Sequence, residues 1–455
     1  MKQMKSILKK VAALMLLGLM ILGTSGCGSK QESAAKSEEK PVKVVFWYAV
    51  GGKVGEATKA LVDDFNATHP DIKVEAVFQG DYDSAINKLK QSISSKSTPN
   101  VMQVYDIGTK FMVDSKAVVP VQKWIDQEKF DMSSYEPNIL AYYTVDKKLY
   151  SMPFNTSTPI LYYNKTMFKE AGLDPENPPK TFEEVSQAAK TLTVRDGSGQ
   201  VTRPGMSMAI YGWFFEQLLA EQNALYANNG NGRDGVADKV AFNSPEGIKI
   251  LDWWSSMVKD GSASNMGRKT ADTMKAFVAG QTAMTMDSTG VLGDIMDGVG
   301  GKFEVGTAFM PHPADTPQNG IIIGGASLWM LSGHSDAEEK ASWEFIKFMT
   351  AAKQQAYWHT KTGYFPVTKA AYDDADLKKY EEKYPQFKVA IDQLHNTPIN
   401  RSTQGGFLGV FTQSRQEIES AIEQVLSGQS SAADALNKAA DTVNGALERY
   451  NNQTK

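Results

Sequence analysis

The chain has 455 residues, a formal charge of −4 and a single cysteine. That length is too great for one ordinary hydrophobic core and argues for two domains or lobes. The acidic balance leaves no cationic surplus to neutralise phosphates along a nucleic-acid strand. One cysteine permits neither an internal disulfide framework nor a thiolate metal site.

The first segment has the composition of an export signal. Lys2, Lys5, Lys9 and Lys10 precede 13 almost wholly apolar residues, Val11 to Gly23. A membrane span needs about 20 such residues, so the run is too short to cross. A basic start, a short apolar run and then small residues predict a signal peptide over residues 1–26. Cys27 directly follows Thr24-Ser25-Gly26. This stretch resembles the lipobox of bacterial lipoproteins, which implies cleavage before Cys27 and a diacylglycerol on its sulfur. The alternative is a plain secretory peptide cut after Ala34. Residues 27–40 are polar and lack apolar periodicity, so they are expected to form a flexible tether. The first 40 residues carry seven Lys and three acidic residues, which leaves −8 on the remainder.

Beyond the tether, VKVVFWYA (42–49) is rich in β-branched and aromatic residues and predicts a buried strand. GEATKALVDDFNATHP follows, with Leu61 and Phe65 one turn apart, and predicts an amphipathic helix that stops before Pro70. IKVEAVF (72–78) is a second strand. DYDSAINKLKQSISS is a second helix with Ile86, Leu89 and Ile93 on one face. NVMQVYDIG (100–108) is a third strand. This alternation predicts parallel strands in a layered α/β sheet. KKLYSMPF and TPILYYN are two short extended segments split by Asn155-Thr156-Ser157. Thr181-Phe-Glu-Glu184 predicts a capping box, and Ser244-Pro245 a helix start. QTAMTMD, FEVGTAFM and GGASLWML are further strand candidates. From Asp336 onward the pattern is mostly helical.

Catalytic and metal signatures are few. His69, His312, His334, His359 and His395 form no pair at helical spacing and no HExxH setting. No G-x-S-x-G elbow occurs. Gly230-Asn-Gly232-Arg-Asp-Gly235 has the G-x-G-x-x-G form. It lacks the flanking strand and helix that a dinucleotide site requires, so it is read as a surface loop. No catalytic residue, metal ligand or cofactor site is assigned. Polar and aromatic residues do collect at the ends of predicted strands: Tyr48, Tyr82, Asp106, Thr156, Ser157, Trp213, Ser288, Gly325 and Tyr364. Ligands of open α/β sheets bind beyond the carboxyl ends of strands. Aromatic faces, hydroxyls, glycine amides and one carboxylate suit a small polyol. For any one of these aromatics alone, ordinary core packing is the competing reading.

The blocks QVYDIGT (103–109), PFNTSTPILYYNK (153–165), AGLDPENPPKTF (171–182), MGRK (266–269), PQNGIIIGGASLW (317–329) and WHTKTGYFPVTKAAY (358–372) carry a family likeness. The chain resembles the extracellular solute-binding proteins of bacterial ABC importers, in the sugar- and polyol-binding group, and most of all the glycerol-3-phosphate-binding proteins. The resemblance implies an α/β, two-lobed periplasmic-binding-protein-like fold with a hinge and an inter-lobe ligand cleft. Lobe 1 would take 41–155 and 311–352, and lobe 2 would take 156–310 and 353–455. It further implies no enzymatic activity, a permease partner, a monomer, and a place outside the cytoplasm on the outer face of the cell membrane, anchored through Cys27. The ligand would be glycerol-3-phosphate or a glycerophosphodiester. The alternatives are a neutral di- or oligosaccharide or, from another class, a secreted carbohydrate-active enzyme. In the glycerol-3-phosphate proteins a G-x-R-x-G motif supplies an arginine for the phosphate. The matching stretch is taken as Gly405-Gly-Phe407-Leu-Gly409, which puts Phe407 at the arginine position. Arg401 is then the candidate guanidinium, with an exposed surface arginine as the competing reading.

Overall fold

The computed structural model describes residues 40–454, so the expected signal peptide and Cys27 lie outside the described residues. Among the described residues no helix is long and apolar enough to cross a membrane.

The early strand-helix alternation builds three parallel strands. β1 (Val42–Tyr48) lies between β2 (Ile72–Phe78) and β3 (Val101–Tyr105), with Val42 opposite Ile72 and Phe46 opposite Val101. Helices α1 (Gly52–Thr68) and α2 (Tyr82–Ser94) make the crossovers that parallel neighbours require. Leu61, Val62 and Phe65 form the buried face of α1, and the helix ends just before Pro70. Asp81 caps α2 by accepting from the Ser84 amide, and Ala85, Ile86 and Leu89 face the core.

The rest of the sheet content mixes parallel and antiparallel pairs and so departs in part from the expected parallel sheet. The remaining strands of the two main sheets are β4 (Val118–Val119), β5 (Met152–Ser157), β6 (Pro159–Asn164), β7 (Met206–Ser207), β8 (Ala263–Ser264), β9 (Met284–Ser288), β10 (Val305–Ala308) and β11 (Gly324–Leu331). In the first sheet the order is β2-β1-β3-β11-β4, with β5 also paired to β11. Strand β11 is antiparallel to β3, β4 and β5. In the second sheet the order is β8-β7-β9-β6-β10, and β6 is antiparallel to both neighbours. Thr158 alone separates β5 from β6, so the chain passes directly from the first sheet into the second. Asn155-Thr156-Ser157 therefore belongs to the buried strand β5 instead of splitting two segments.

The architecture is a two-lobed α/β fold, one lobe around each sheet. The chain moves between sheets at Thr158 and again between Ala308 and Gly324. Local signals held where they depended on neighbours in sequence. Thr181 and Glu184 form the reciprocal capping box ahead of the helix Phe182–Leu192. Ser244 caps the helix Pro245–Lys259. The helical pattern after Asp336 breaks at Thr350-Ala351 into Asp336–Met349 and Ala352–Thr362.

Candidate ligand cleft

Four strand ends and three helix-associated aromatics meet between the sheets. Asp106 follows β3, Ser157 ends β5, Ser288 ends β9, and Gly325 lies at the start of β11. Tyr82 opens α2, Trp213 is in the first turn of α3 (Gly212–Ala220), and Tyr364 follows the helix Ala352–Thr362. All seven line one cavity of about 160 Å³. Tyr105, Tyr211, Thr270 and Asp287 also line its wall. A more open recess of about 570 Å³ shares Tyr82, Tyr105 and Tyr211 with it and is bounded by Arg268 and Arg415.

A hydrogen-bond relay fixes the aromatic wall. Gln103 Oε1 accepts from the Ala49 amide at 2.9 Å, and its Nε2 donates to Asn155 Oδ1 at 2.8 Å. Asn155 Nδ2 then donates to the Tyr82 hydroxyl at 2.8 Å. Tyr82 stacks on Tyr105, centroids 5.3 Å apart. The Tyr105 hydroxyl donates to Asp83 and meets Thr412 Oγ1 at 2.6 Å. The glycine at 325 has a steric reason: its φ is +95° and a Cβ there would run into the Asn155 carbonyl oxygen. A side chain at Gly290 would press on the Tyr364 ring.

The charge in the cleft centres on Arg415. Its Nε and Nη2 donate to the two oxygens of Glu216 at 2.7 and 2.8 Å, and Nη2 stands 3.6 Å from Asp106 Oδ2. All three side chains are buried. Burial pushes the Asp106 and Glu216 carboxyls up, and the guanidinium opposes it. Burial also works against the Arg415 charge, but Glu216, Tyr211 and Asp106 more than offset it and hold its pKa well above the ordinary value. Arg415 is thus the guanidinium of the cleft, and reading by motif missed it. It is one of the few arginines in the helical C-terminal part, in FTQSRQEIES. Only its position on the helix Phe411–Leu426, packed against α3, marks it out. Asp287 is the second missed carboxyl. Burial pushes it up to about 7.

Three expected site residues lie elsewhere. Tyr48 is buried against Phe46 and Phe78 in the first lobe, outside the cavity, because the inward side of β1 faces core and not cleft. Thr156 is wholly buried in β5, where its carbonyl accepts from the Phe365 amide; alternation along the strand gives the cavity to Ser157 instead. Arg401 is exposed, pairs with Asp234 and bonds Gln404. It borders a separate groove of about 840 Å³ that also contains Phe407. Gly232 to Gly235 of the G-x-G-x-x-G stretch line the same groove. Asn229, Gly230 and Asn231 are left-handed, with φ of 53°, 59° and 62°. Asn231 bonds the Arg401 carbonyl and receives the Phe407 amide, while Arg233 donates to the carbonyls of Tyr142, Gln404 and Gly405. The loop is a clasp on the segment 401–407, more buried than the expected surface loop and with no dinucleotide geometry. Among the described residues no group of three His, Cys, Asp or Glu is placed to hold a metal ion.

Comparisons agree with this geometry. Residues 60–386 match the family described as bacterial extracellular solute-binding protein. The chain is 36% identical over 420 residues to the sn-glycerol-3-phosphate-binding periplasmic protein UgpB of Pectobacterium atrosepticum, covering 90% of this chain and 93% of that protein. It is equally 36% identical over 420 residues to UgpB of Escherichia coli K12, covering 90% and 94%. Among solved structures, UgpB of Mycobacterium tuberculosis in complex with glycerophosphocholine superposes with a TM-score of 0.75 at 23% identity, covering 90% of this chain and 99% of that one. The sugar-binding protein MalE of Xanthomonas citri superposes with a TM-score of 0.74 at 21% identity, covering 90% and 98%. With a cleft between two α/β lobes and this likeness along most of its length, the chain belongs to the bacterial extracellular solute-binding proteins.

Proposed function

We propose that the chain captures glycerol-3-phosphate or a glycerophosphodiester in the cleft and delivers it to the membrane subunits of an ABC importer. The observation that carries this reading is a cavity lined by hydroxyls and aromatic faces, with the buried Arg415 on the adjoining recess that shares Tyr82, Tyr105 and Tyr211 with it. A guanidinium offers a phosphate charge-assisted, bidentate bonds. Ser157, Ser288 and Tyr364 offer hydroxyls to the polyol, and Trp213 offers its face.

Capture works by closure. The ligand touches residues of both lobes, so it stabilises the closed state and shifts the population toward it. Bonds across the cleft support the same reading: Tyr105 to Thr412 at 2.6 Å, Tyr450 to Asp114 at 2.7 Å and Lys53 to Asp294 at 2.8 Å. The lobes are proposed as 41–155 with 311–352 and 156–310 with 353–455. The protein acts as a monomer held outside the cytoplasm by a lipid on Cys27. Radioactive fatty acid should label the wild-type chain, and label retained in Cys27→Ala would sink the anchor. An affinity near micromolar, about −8 kcal/mol, suffices to scavenge a solute and still release it.

Titration calorimetry of the purified chain with glycerol-3-phosphate, glycerophosphocholine and maltose tests the ligand class. Saturable binding of either phosphate compound is expected. Binding of maltose alone would move the protein to the sugar branch, a reading that Asp106 favours because a carboxylate accepts hydroxyl protons and repels phosphate. Trp213→Ala should weaken binding by about tenfold through lost stacking; an unchanged affinity would remove Trp213 from the site.

A further inference from the structure

Asp287 is placed where a carboxyl without a ligand-directed role is costly. It sits near the end of β9, lines the cleft cavity and is 3% exposed. Oδ1 accepts from the Ser288 amide at 2.7 Å. Oδ2 is buried and, among the described residues, has no hydrogen-bond partner. Among the described residues no ion pair includes Asp287. The ionisable groups that feel its charge are the hydroxyls of Tyr162 on β6 and Tyr364 on the segment after the helix Ala352–Thr362. Buried polar atoms are paired in the great majority of proteins, and the exceptions concentrate at functional sites. The cleft's other carboxyls differ on this point, since Asp106 and Glu216 both share Arg415.

We propose that Asp287 is a specificity-determining contact of the cleft: its Oδ2 bonds a ligand hydroxyl, and its carboxyl keeps anionic groups away from that end of the cavity. This rests on the reading that the cavity is the ligand site. It orients a glycerophosphate with the hydroxyl end at Asp287 and the phosphate toward Arg415. Burial pushes the Asp287 carboxyl up to about 7. Protonated, Oδ2 donates to a hydroxyl oxygen. Ionised, it accepts a hydroxyl proton but repels an anionic ligand. Affinity for an anionic ligand therefore falls as pH rises through about 7.

The test is titration calorimetry of the full chain and its Asp287→Ala and Asp287→Asn variants, with glycerophosphocholine, glycerol-3-phosphate and maltose, at pH 6 and 8.5. Glycerophosphocholine is the pH probe, because a phosphodiester keeps one charge across that range. Asp287→Ala should weaken whichever compound the wild type binds by about tenfold, the loss of one good hydrogen bond. Asp287→Asn should stay within about threefold at pH 6 and flatten the pH dependence. If the wild type binds only maltose, the phosphate reading fails, but the same loss in Asp287→Ala still supports the hydroxyl contact. An alanine variant within twofold of wild type, or an asparagine variant that keeps the wild-type pH profile, overturns the proposal. Should the alanine variant not fold, the asparagine profile decides. Binding of none of the three compounds overturns both readings.

Discussion

One buried and one half-buried guanidinium group, Arg415 and Arg233, show how differently one residue type is used. Arg415 spends its donors on the carboxylate of Glu216 and stands against Asp106, across the line between the lobes. Among the described residues Arg233 has no carboxylate partner; it donates to three backbone carbonyls while lying over Tyr142 and Phe407. Burial lowers the Arg233 pKa to about 10, whereas its anionic neighbours push Arg415 up. Carbonyl dipoles can hold a cation but cannot neutralise it, so Arg233 suits a permanent clasp. A cation shared between carboxylates is near balance, and a ligand anion can compete for it. Position decides as much as partners do: Arg415 borders the cleft recess and Arg233 borders the outer groove.

The sharpest way to break the comparison is to remove each guanidinium. Arg415→Ala should lower affinity for a phosphate ligand by at least about tenfold, since it deletes a charge-assisted contact. Calorimetry reads this directly, and retained affinity would place the phosphate elsewhere. The same variant has a pH signature in its melting curve. Without the guanidinium, burial alone acts on Asp106 and Glu216, whose carboxyls it already raises. A carboxyl with a folded pKa above its unfolded value loses stability as pH rises through that interval. The deficit of Arg415→Ala should therefore be small near pH 4 and grow toward pH 8, and a constant deficit would contradict the assignment.

Arg233→Ala should show the reverse pattern. It frees three carbonyls and should cost about 2–4 kcal/mol in denaturant unfolding, with ligand affinity of the folded protein unchanged. Arg401→Ala is the mildest case. Its pair with Asp234 is exposed, so the change should stay within about 0.5 kcal/mol and leave affinity alone. A tenfold loss of binding in Arg401→Ala would restore the sequence-based expectation for that residue.

These two arginines also mark where motif reading stopped. The G-x-R-x-G alignment directed attention to Phe407 and Arg401, and both lie on the groove that Arg233 clasps. The guanidinium of the cleft comes from a helix whose sequence, FTQSRQEIES, reads as an ordinary amphipathic surface pattern. No local rule distinguishes an arginine turned toward solvent from one turned onto a buried glutamate. Asp287 was hidden for a similar reason. TAMTMD was read as a strand, but nothing in a strand pattern says which acid will be left with an unpaired oxygen between lobes.

The sequence by itself determined what short-range chemistry controls. Strands β1, β2 and β3, helices α1 and α2, and the capping box at Thr181 and Glu184 all depend on residues within a few positions of one another. Strand-end placement also carried Tyr82, Asp106, Ser157, Trp213, Ser288 and Tyr364 to one cavity. The tertiary structure alone decided the antiparallel partners of β11 and β6, the burial of Tyr48 and Thr156, and the meeting of Asp106, Glu216 and Arg415. Those features join segments up to about 300 residues apart, and their energies depend on the dielectric and the neighbours found only after the lobes have folded against each other.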